Sequence, residues 1–306
     1  MSLRVLVLGG GPDAERQVSL DSAAAVAQAC GDAGLATEVL TIDAPSQTEI
    51  ATWPDGVVFP VLHGRWGEGG PLQALLEASG RPFVGCGSRA AALAMDKLGT
   101  KLHAARQGVP TAPAAVLDPR DPACPMPFPV VVKPNRDGSS VGVHLCRDQA
   151  GYDHARAEAA EHPDTWMVEA LVTGQELTVG VLDGGDGTLR ALPPVEIAPA
   201  EGFYDHEAKY QRSDTRYTVD PDLPEGVRRR VSAHAERLAR SMNLRHLSRV
   251  DLLLDGEGRE WLLEVNTMPG FTGSSLLPMA AAETGLRMPE LVSRLVRLAA
   301  GAAANG

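Results

Sequence analysis

The first 92 residues alternate between short apolar runs and helix-like segments, and this alternation restricts the fold more than any other feature of the chain. LRVLVL is a buried-strand run that ends in three glycines. An Ala-rich helical stretch follows and closes near Gly31 or Gly34. ATEVLTI and GVVFPVLHG read as two more strands, and GPLQALLEASG as a second helix. Strands separated by helices do not close as tight hairpins. Each helix carries the chain back, so that the next strand runs parallel to the last. A small parallel sheet with helices on its faces is expected over residues 1–92.

Two further units follow. SRAAALAMDKLGTKLHAARQGV is helical up to Gly108 and Pro110, and the Pro-rich DPRDPACPMPFP breaks regular structure. PVVVKP is a strand, followed by a polar Gly-Ser loop, the strand VGVHLC, a helix near 148–160 and the strand TWMVEALV. These define a second α/β unit over 93–173. The third, 174–306, holds the strand candidates ELTVGVLD, LRALPPVEI, HLSRVDLLLD and EWLLEV. It also holds an irregular stretch at 199–223, the helix EGVRRRVSAHAERLARSMN and a closing helix near 288–300. A loop as long as 199–223 within a compact domain is either functional or disordered. The last residues, GAAANG, are expected to fray.

Charge narrows the partners. The net charge of −11 disfavours nonspecific binding to nucleic acid or an anionic membrane. An anionic substrate must therefore be met by a local cluster of Lys and Arg. Cys30, Cys86, Cys124 and Cys146 lack CxxC spacing and read as reduced thiols, not a zinc site or a disulfide frame. The apolar start is about six residues long, far short of a signal peptide or of a membrane span of roughly 20 residues. A soluble, cytoplasmic protein is expected.

Polar pairs interrupt the last apolar strands. In HLSRVDLLLD, Arg249 and Asp251 stand at i and i+2 and so share a face with Leu247 and Leu253. In EWLLEVN, Glu264 and Asn266 share a face with Leu262 by the same rule. Only GEGR separates the two strands, a hairpin-length connection that makes them neighbours. Two carboxylates and an amide oxygen are hard oxygen ligands. They suit Mg²⁺, which commonly shares its shell with phosphate oxygens. The competing reading is a charged pair on an exposed sheet face.

Weaker signals surround this one. Lys133 ends a buried strand, and the following Gly138, Ser139, Ser140 and Gly142 could fold donors over phosphates or simply close a hairpin. No GxxxxGK[ST] P-loop occurs in the chain. The turn LGGGPDAER is followed by Glu15 and Arg16, but its spacing is not the GxGxxG of a dinucleotide site. His63 lies at the C-terminal end of a parallel strand, where open α/β sheets place their sites. Lys97 reads as an exposed helix residue or a ligand contact. Lys209 and Tyr210, in the long loop, suggest a lid over a charged ligand or an ordinary surface loop.

Taken together, GGGPDAERQVSL, LHGRWGEGGPLQALLE, AMDKLGTK, VVKPNRDGSSVGV, EAKY, RVDLLLD and LLEVNTMPGFTGSSLLP occur in an order that resembles the D-alanine–D-alanine ligases of the ATP-grasp superfamily. The resemblance covers essentially the whole chain. It implies an α/β ATP-grasp fold of three units, with ATP between the central and C-terminal ones. It implies ATP-dependent joining of two D-alanines through an acyl phosphate, with two Mg²⁺, for which Mn²⁺ can substitute, in a cytoplasmic homodimer.

The resemblance also implies roles. Glu15 would hold the first substrate's ammonium and form a triad with Ser139 and Tyr210, and His63 would lie beside that substrate. Arg249 and the Gly270 N–H would form an oxyanion hole. Ser275, with the Leu276 amide, would take the second carboxylate. Lys97, Lys133 and Lys209 would contact ATP phosphates. Glu169, Ala170 and Val172 would line the adenine edge, Phe203 would be a candidate to stack on adenine, and Glu176 would take the ribose hydroxyls. Asp251, Glu264 and Asn266 would hold metal. The chain departs from the family pattern at Gly-Pro-Asp before AER, at Ser248 before Arg249, and at Ala170 and Leu171 where some members carry Lys and Trp.

Overall fold

The computed structural model describes residues 3–138, 142–198 and 215–301. Strand β1 (Arg4–Gly10) lies between β2 (Ala36–Ile42) and β3 (Val57–Pro60) in a three-stranded parallel sheet. Helix α1 (Arg16–Asp32) carries the chain from β1 to β2, and the short α2 (Gln47–Ala51) from β2 towards β3. The parallel pairing expected from the alternation is present. Gly10 makes the turn out of β1 at a φ of 103°, and a Cβ there would lie 2.5 Å from the Ile42 carbonyl oxygen. Both facts select glycine. Ser19 of α1 locks the turn, accepting from the Gly10 N–H at 2.9 Å and donating to the Val61 carbonyl at 2.6 Å.

The next helices are α3 (Gly64–Gly67), α4 (Pro71–Ala78), α5 (Ser88–Met95) and α6 (Lys97–Arg106). Asp96 ends α5 and caps α6, accepting from the Gly99 N–H at 2.8 Å. The second sheet is antiparallel, in the order β4-β7-β5-β6, from β4 (Ala114–Val116), β5 (Val130–Pro134), β6 (His144–Cys146) and β7 (Trp166–Ala170). Helix α7 (Gln149–Glu161) packs Tyr152, Ala155 and Ala159 against Val130 and Val132 on one face. Val131 and Lys133, which alternate with them, turn to the other face.

The third sheet runs β11-β10-β8-β12-β13, with β9 also paired to β8. Its strands are β8 (Gly174–Asp183), β9 (Leu189–Ala191), β10 (Val195–Ala198), β11 (Arg216–Val219), β12 (Leu247–Asp255) and β13 (Glu260–Asn266). Helices α8 (Glu225–Ser241), α9 (Leu276–Glu283) and α10 (Met288–Ala299) complete the described chain. Two expectations are corrected here. LRALPPVEI is two strands, because Pro193 and Pro194 cannot donate to a ladder. Part of the stretch expected to be irregular is strand β11, whose Tyr217 and Val219 pair with Ile197 and Val195. The terminal residues expected to fray, 302–306, lie outside the described residues.

Packing joins segments distant in sequence. Ala90, Ala91 and Ala94 of α5 and Ala104 of α6 share a core with Val250, Leu252, Leu262 and Val265 of the third sheet. Leu291, Val292, Leu295 and Val296 of α10 return to Val5, Val7, Ala23 and Val26 of the first unit. The outer edge of β13 is covered where the Leu262 N–H donates to the Pro110 carbonyl at 2.8 Å.

A polar latch also joins the first and third units. The Gly85 N–H donates to His246 Nδ1 at 3.0 Å, Arg245 Nε donates to the Gly85 carbonyl at 2.7 Å, and the Arg245 guanidinium lies 4.7 Å from the Phe83 ring centroid. Burial, then the adjacent Arg245 charge, lowers the His246 pKa from 6.5 to about 4. Between those values the unfolded chain binds the proton more readily than the folded one. The stability tied to a neutral His246 is therefore complete above about pH 6.5 and is lost as pH falls through about 4, by up to about 3 kcal/mol. Urea unfolding at pH 7 and pH 4 should show a smaller pH difference for His246→Gln than for the parent.

Ser248, on β12, is 1% exposed and its hydroxyl has no hydrogen-bond partner among the described residues. An unsatisfied buried hydroxyl is destabilising, so Ser248→Ala is expected to raise unfolding stability by about 1 kcal/mol. An increase in the denaturant midpoint at constant slope would register that gain.

Candidate active site

The register of β12 on β13 builds the centre of the site. Arg249 pairs with Asn266 and Asp251 with Glu264, so all four polar residues converge as their spacing implied. Across β12 on its other side, Asp251 pairs with Thr178 of β8. A bulge follows between Asp251 and Leu252, after which Leu252 pairs with Leu262. The extra residue is Leu263. It breaks the two-residue alternation, so Leu262 packs into the core with Val265 and only borders the cleft, while Leu263 joins Glu264 there. The strict alternation expected from Leu262 to Glu264 is thereby interrupted.

Asp251 is the most heavily bonded member. Arg249 Nε and Nη2 donate to its two oxygens at 2.9 and 2.8 Å, Thr178 Oγ1 donates at 2.5 Å and Asn266 Nδ2 at 3.0 Å. With Nδ2 committed to Asp251, Asn266 retains its amide oxygen as a ligand. The facing Asp251 and Glu264 carboxylates with that oxygen are hard-oxygen donors of the kind that suit Mg²⁺, and Asp251, which already accepts two bonds on each oxygen, would exchange one of them for a metal.

Two cavities meet at these carboxylates. The first, about 870 Å³, lies between the second and third sheets. Lys97, Lys133, Glu169, Ala170, Leu171, Val172 and Glu176 line it, together with Leu253, Trp261, Leu263, Asp251 and Glu264. The second, about 1160 Å³, reaches towards the first unit and is lined by Glu15, His63, Glu68, Gly138, Arg249, Gly270, Ser275 and Leu276, again with Asp251 and Glu264. Asn266 faces this second cavity.

The lysines of the first cavity are not exposed. Lys97, expected as a helix-surface residue by default, is 9% exposed, donates to the Asp137 carbonyl at 2.5 Å and lies 3.5 Å from Glu264 Oε2. Lys133 lies 2.5 Å from Glu169 Oε1, and Lys101 2.9 Å from Glu169 Oε2. Burial pushes the Glu169 pKa up, but the Lys133 and Lys101 charges together outweigh it and hold the carboxyl at about 2. Burial likewise lowers the Lys101 pKa, against the pull of Glu169. Glu169 thus fixes Lys133 at the cavity wall.

In the second cavity, burial lowers the His63 pKa, Arg249 acting in the same direction and Glu15 against it. His63 Nε2 has no hydrogen-bond partner among the described residues. Glu15 comes close to the Gly-rich loop: a Cβ on Gly138 would lie 3.0 Å from its Oε2. Ser275 stands at the N-cap position of α9 without a side-chain cap bond, and its hydroxyl instead accepts from the preceding Thr272 N–H at 2.9 Å. A Cβ on Gly270 would lie 2.9 Å from that hydroxyl, so a side chain there would displace it. Backbone N–H groups at the start of α9 are available to a carboxylate.

Ser139, Phe203, Lys209 and Tyr210 lie outside the described residues. The remaining expected site residues all line one cavity or the other. Five contributors were not singled out from the sequence. Lys101 is one helical turn from Lys97 in α6, an i, i+4 spacing that could have revealed it. Thr178 and Trp261 read as ordinary strand residues. Asp13, in the departing Gly-Pro-Asp, accepts from the Trp66 and Gly67 N–H groups at 3.0 and 3.4 Å and so positions the His63 loop. Glu68 lies between glycines in GEGG; it accepts from the Gly64 and Met268 N–H groups, at 3.2 and 3.4 Å. Burial, followed by the Glu15 charge, raises its pKa to about 8.

A cleft between two sheets, with buried lysines on its wall and paired carboxylates where a second cavity begins, is the arrangement of an ATP-grasp fold. Residues 121–297 match the family described as D-ala D-ala ligase C-terminus. A D-alanine–D-alanine ligase from Anaeromyxobacter sp. (strain Fw109-5) is 41% identical over 301 residues, 96% of each chain. One from Stutzerimonas stutzeri is 41% identical over 295 residues, covering 94% of this chain and 92% of the relative. The crystal structure of D-alanyl-alanine synthetase A from Vibrio cholerae superposes with a TM-score of 0.84 at 29% identity, covering 97% of this chain and 98% of that one. A D-Ala:D-Ser ligase from Enterococcus faecalis superposes with a TM-score of 0.83 at 26% identity, over 98% and 100%. The chain belongs to the D-alanine–D-alanine ligase family.

Proposed function

We propose that the two adjoining cavities divide the ligation between them, ATP in the first and the two amino acids in the second. As a family member, the chain is an ATP-dependent ligase that joins two D-alanines into D-alanyl-D-alanine for peptidoglycan synthesis. The observation that carries the assignment of cavities is that Asp251 and Glu264 line both. Phosphoryl transfer from ATP to a carboxylate requires the two anions to meet at such a seam.

In this reading Lys97 and Lys133 hold ATP phosphates, with Lys209 as a third. Glu176 takes the ribose hydroxyls, and Glu169, Ala170 and Val172 border adenine, with Phe203 as the stacking candidate. Asp251, Glu264 and Asn266 hold two Mg²⁺, or Mn²⁺ in their place, which when bound would neutralise phosphate oxygens. Glu15 binds the ammonium of the first D-alanine, beside His63, and joins Ser139 and Tyr210 in a triad. A carboxylate oxygen of that D-alanine attacks the γ-phosphorus, and ADP leaves. The neutral amine of the second D-alanine, its carboxylate held by Ser275 and the Leu276 N–H, attacks the carbonyl carbon of the acyl phosphate. Arg249 and the Gly270 N–H stabilise the oxyanion that develops, and phosphate leaves as the peptide bond closes.

Three domains bounded near residues 92 and 173, a homodimer and a cytoplasmic location belong to the same reading. Each sheet lies within one of those intervals, and among the described residues no helix is long and apolar enough to cross a membrane. Phosphate release should require ATP, Mg²⁺ and D-alanine, and should not occur with L-alanine alone. Release only when D-serine or D-lactate accompanies D-alanine would reassign the second substrate. Sedimentation would report the oligomeric state.

A further inference from the structure

His144, His154 and Glu158 gather on the second unit, away from the cleft. Their ligating atoms all lie within 4.8 Å of one another. His154 and Glu158 are four residues apart in α7 and so share one helix face. His144 comes from β6, where it pairs with Val132. Val132 belongs to the α7 side of the sheet, opposite Val131 and Lys133, so the cluster is on the back of the sheet that lines the nucleotide cavity.

The arrangement is held from behind. The His144 ring stacks on Trp166 at 6.0 Å and 28°, and meets the His154 ring nearly edge-on at 5.8 Å and 77°. His144 Nε2 lies 3.0 Å from Glu158 Oε2, yet it is shielded from solvent and makes no aligned hydrogen bond. A neutral ring nitrogen with its lone pair towards a carboxylate is repelled by it. A proton on Nε2, in the neutral Nε2–H tautomer or in the imidazolium, removes that repulsion, and so does a metal cation. A proton would join His144 to Glu158 alone and would leave His154 with no part in it.

We propose that His144, His154 and Glu158 form a binding site for a borderline transition-metal cation of the Zn²⁺ class, stapling α7 to β6. Two imidazoles and one carboxylate are a ligand set for such a metal, with water completing the coordination. Mg²⁺ prefers an all-oxygen shell and does not compete effectively here. The site therefore discriminates between the metal that binds it and the one used in the cleft. Its ligands must be deprotonated, so affinity falls with falling pH.

The test is a Zn²⁺ titration of the full chain by calorimetry in millimolar Mg²⁺, with Cu²⁺ quenching of tryptophan fluorescence as a second readout, since Trp166 stacks on a ligand. One Zn²⁺ per chain is expected, together with a rise in the thermal midpoint. His154→Ala and Glu158→Gln, both at exposed positions, should weaken binding at least about tenfold and abolish the thermal gain, with ligase activity unchanged. Asp251→Asn, in the cleft, should leave the Zn²⁺ affinity as in the parent. Absence of stoichiometric binding, equal binding by His154→Ala, or loss of binding only in Asp251→Asn would each overturn the site and leave an ion pair.

Discussion

Glu264→Gln is expected to lower the rate of D-alanine-dependent phosphate release by about 10³-fold or more, without changing the fold. The substitution keeps the size of the side chain and removes one charge. That charge faces Asp251 across the β12–β13 ladder, 3.5 Å from Lys97, at the junction of both cavities. Stabilisation of developing phosphate charge in a water-poor site commonly contributes several kcal/mol, which the amide cannot replace. If Glu264 acts through a bound cation, the residual activity should need a higher Mg²⁺ concentration than the parent. Steady-state rates across a Mg²⁺ titration, with a thermal melt as the folding control, measure both effects. A rate near that of the parent would remove Glu264 from the metal assignment.

Arg249→Lys is expected to reduce kcat by about 10²- to 10³-fold with little change in the KM for D-alanine. Lysine keeps the positive charge but not the planar fork. The parent guanidinium makes two parallel bonds to Asp251, at 2.9 and 2.8 Å, which fix its plane beside the second cavity. An ammonium can make neither that pair of bonds nor the same approach to an oxyanion. A loss confined to kcat identifies an interaction made in the transition state. A rise in KM with kcat intact would instead assign Arg249 to ground-state binding.

Much of the site could be read from i, i+2 spacing in two strands. Arg249, Asp251, Glu264 and Asn266 alternate with apolar residues, and the short GEGR connection makes the strands neighbours. Lys101 and Glu68 were less visible for different reasons. Lys101 looks like any helix lysine until Glu169, from a strand more than 60 residues later, is placed 2.9 Å from it. Glu68 looks like a solvated loop acid until Met268, from beyond β13, closes over it. Burial of a charge depends on what arrives from elsewhere in the chain, and local pattern does not record that.

The sequence by itself determined the parallel first sheet, the succession of three groups of strands and the convergence of Arg249, Asp251, Glu264 and Asn266. Each rests on short-range periodicity or connection length, which act within a few residues. Tertiary structure alone decided that Leu263 joins Glu264 at the cleft while Leu262 packs into the core, because a bulge in the pairing with β12 breaks the strict alternation. It also decided that α10 completes the core of the first unit and that His144 meets His154 and Glu158 behind the second sheet. Those outcomes depend on which buried faces find each other once the chain has closed, an energy shared among distant segments and written in none of them separately.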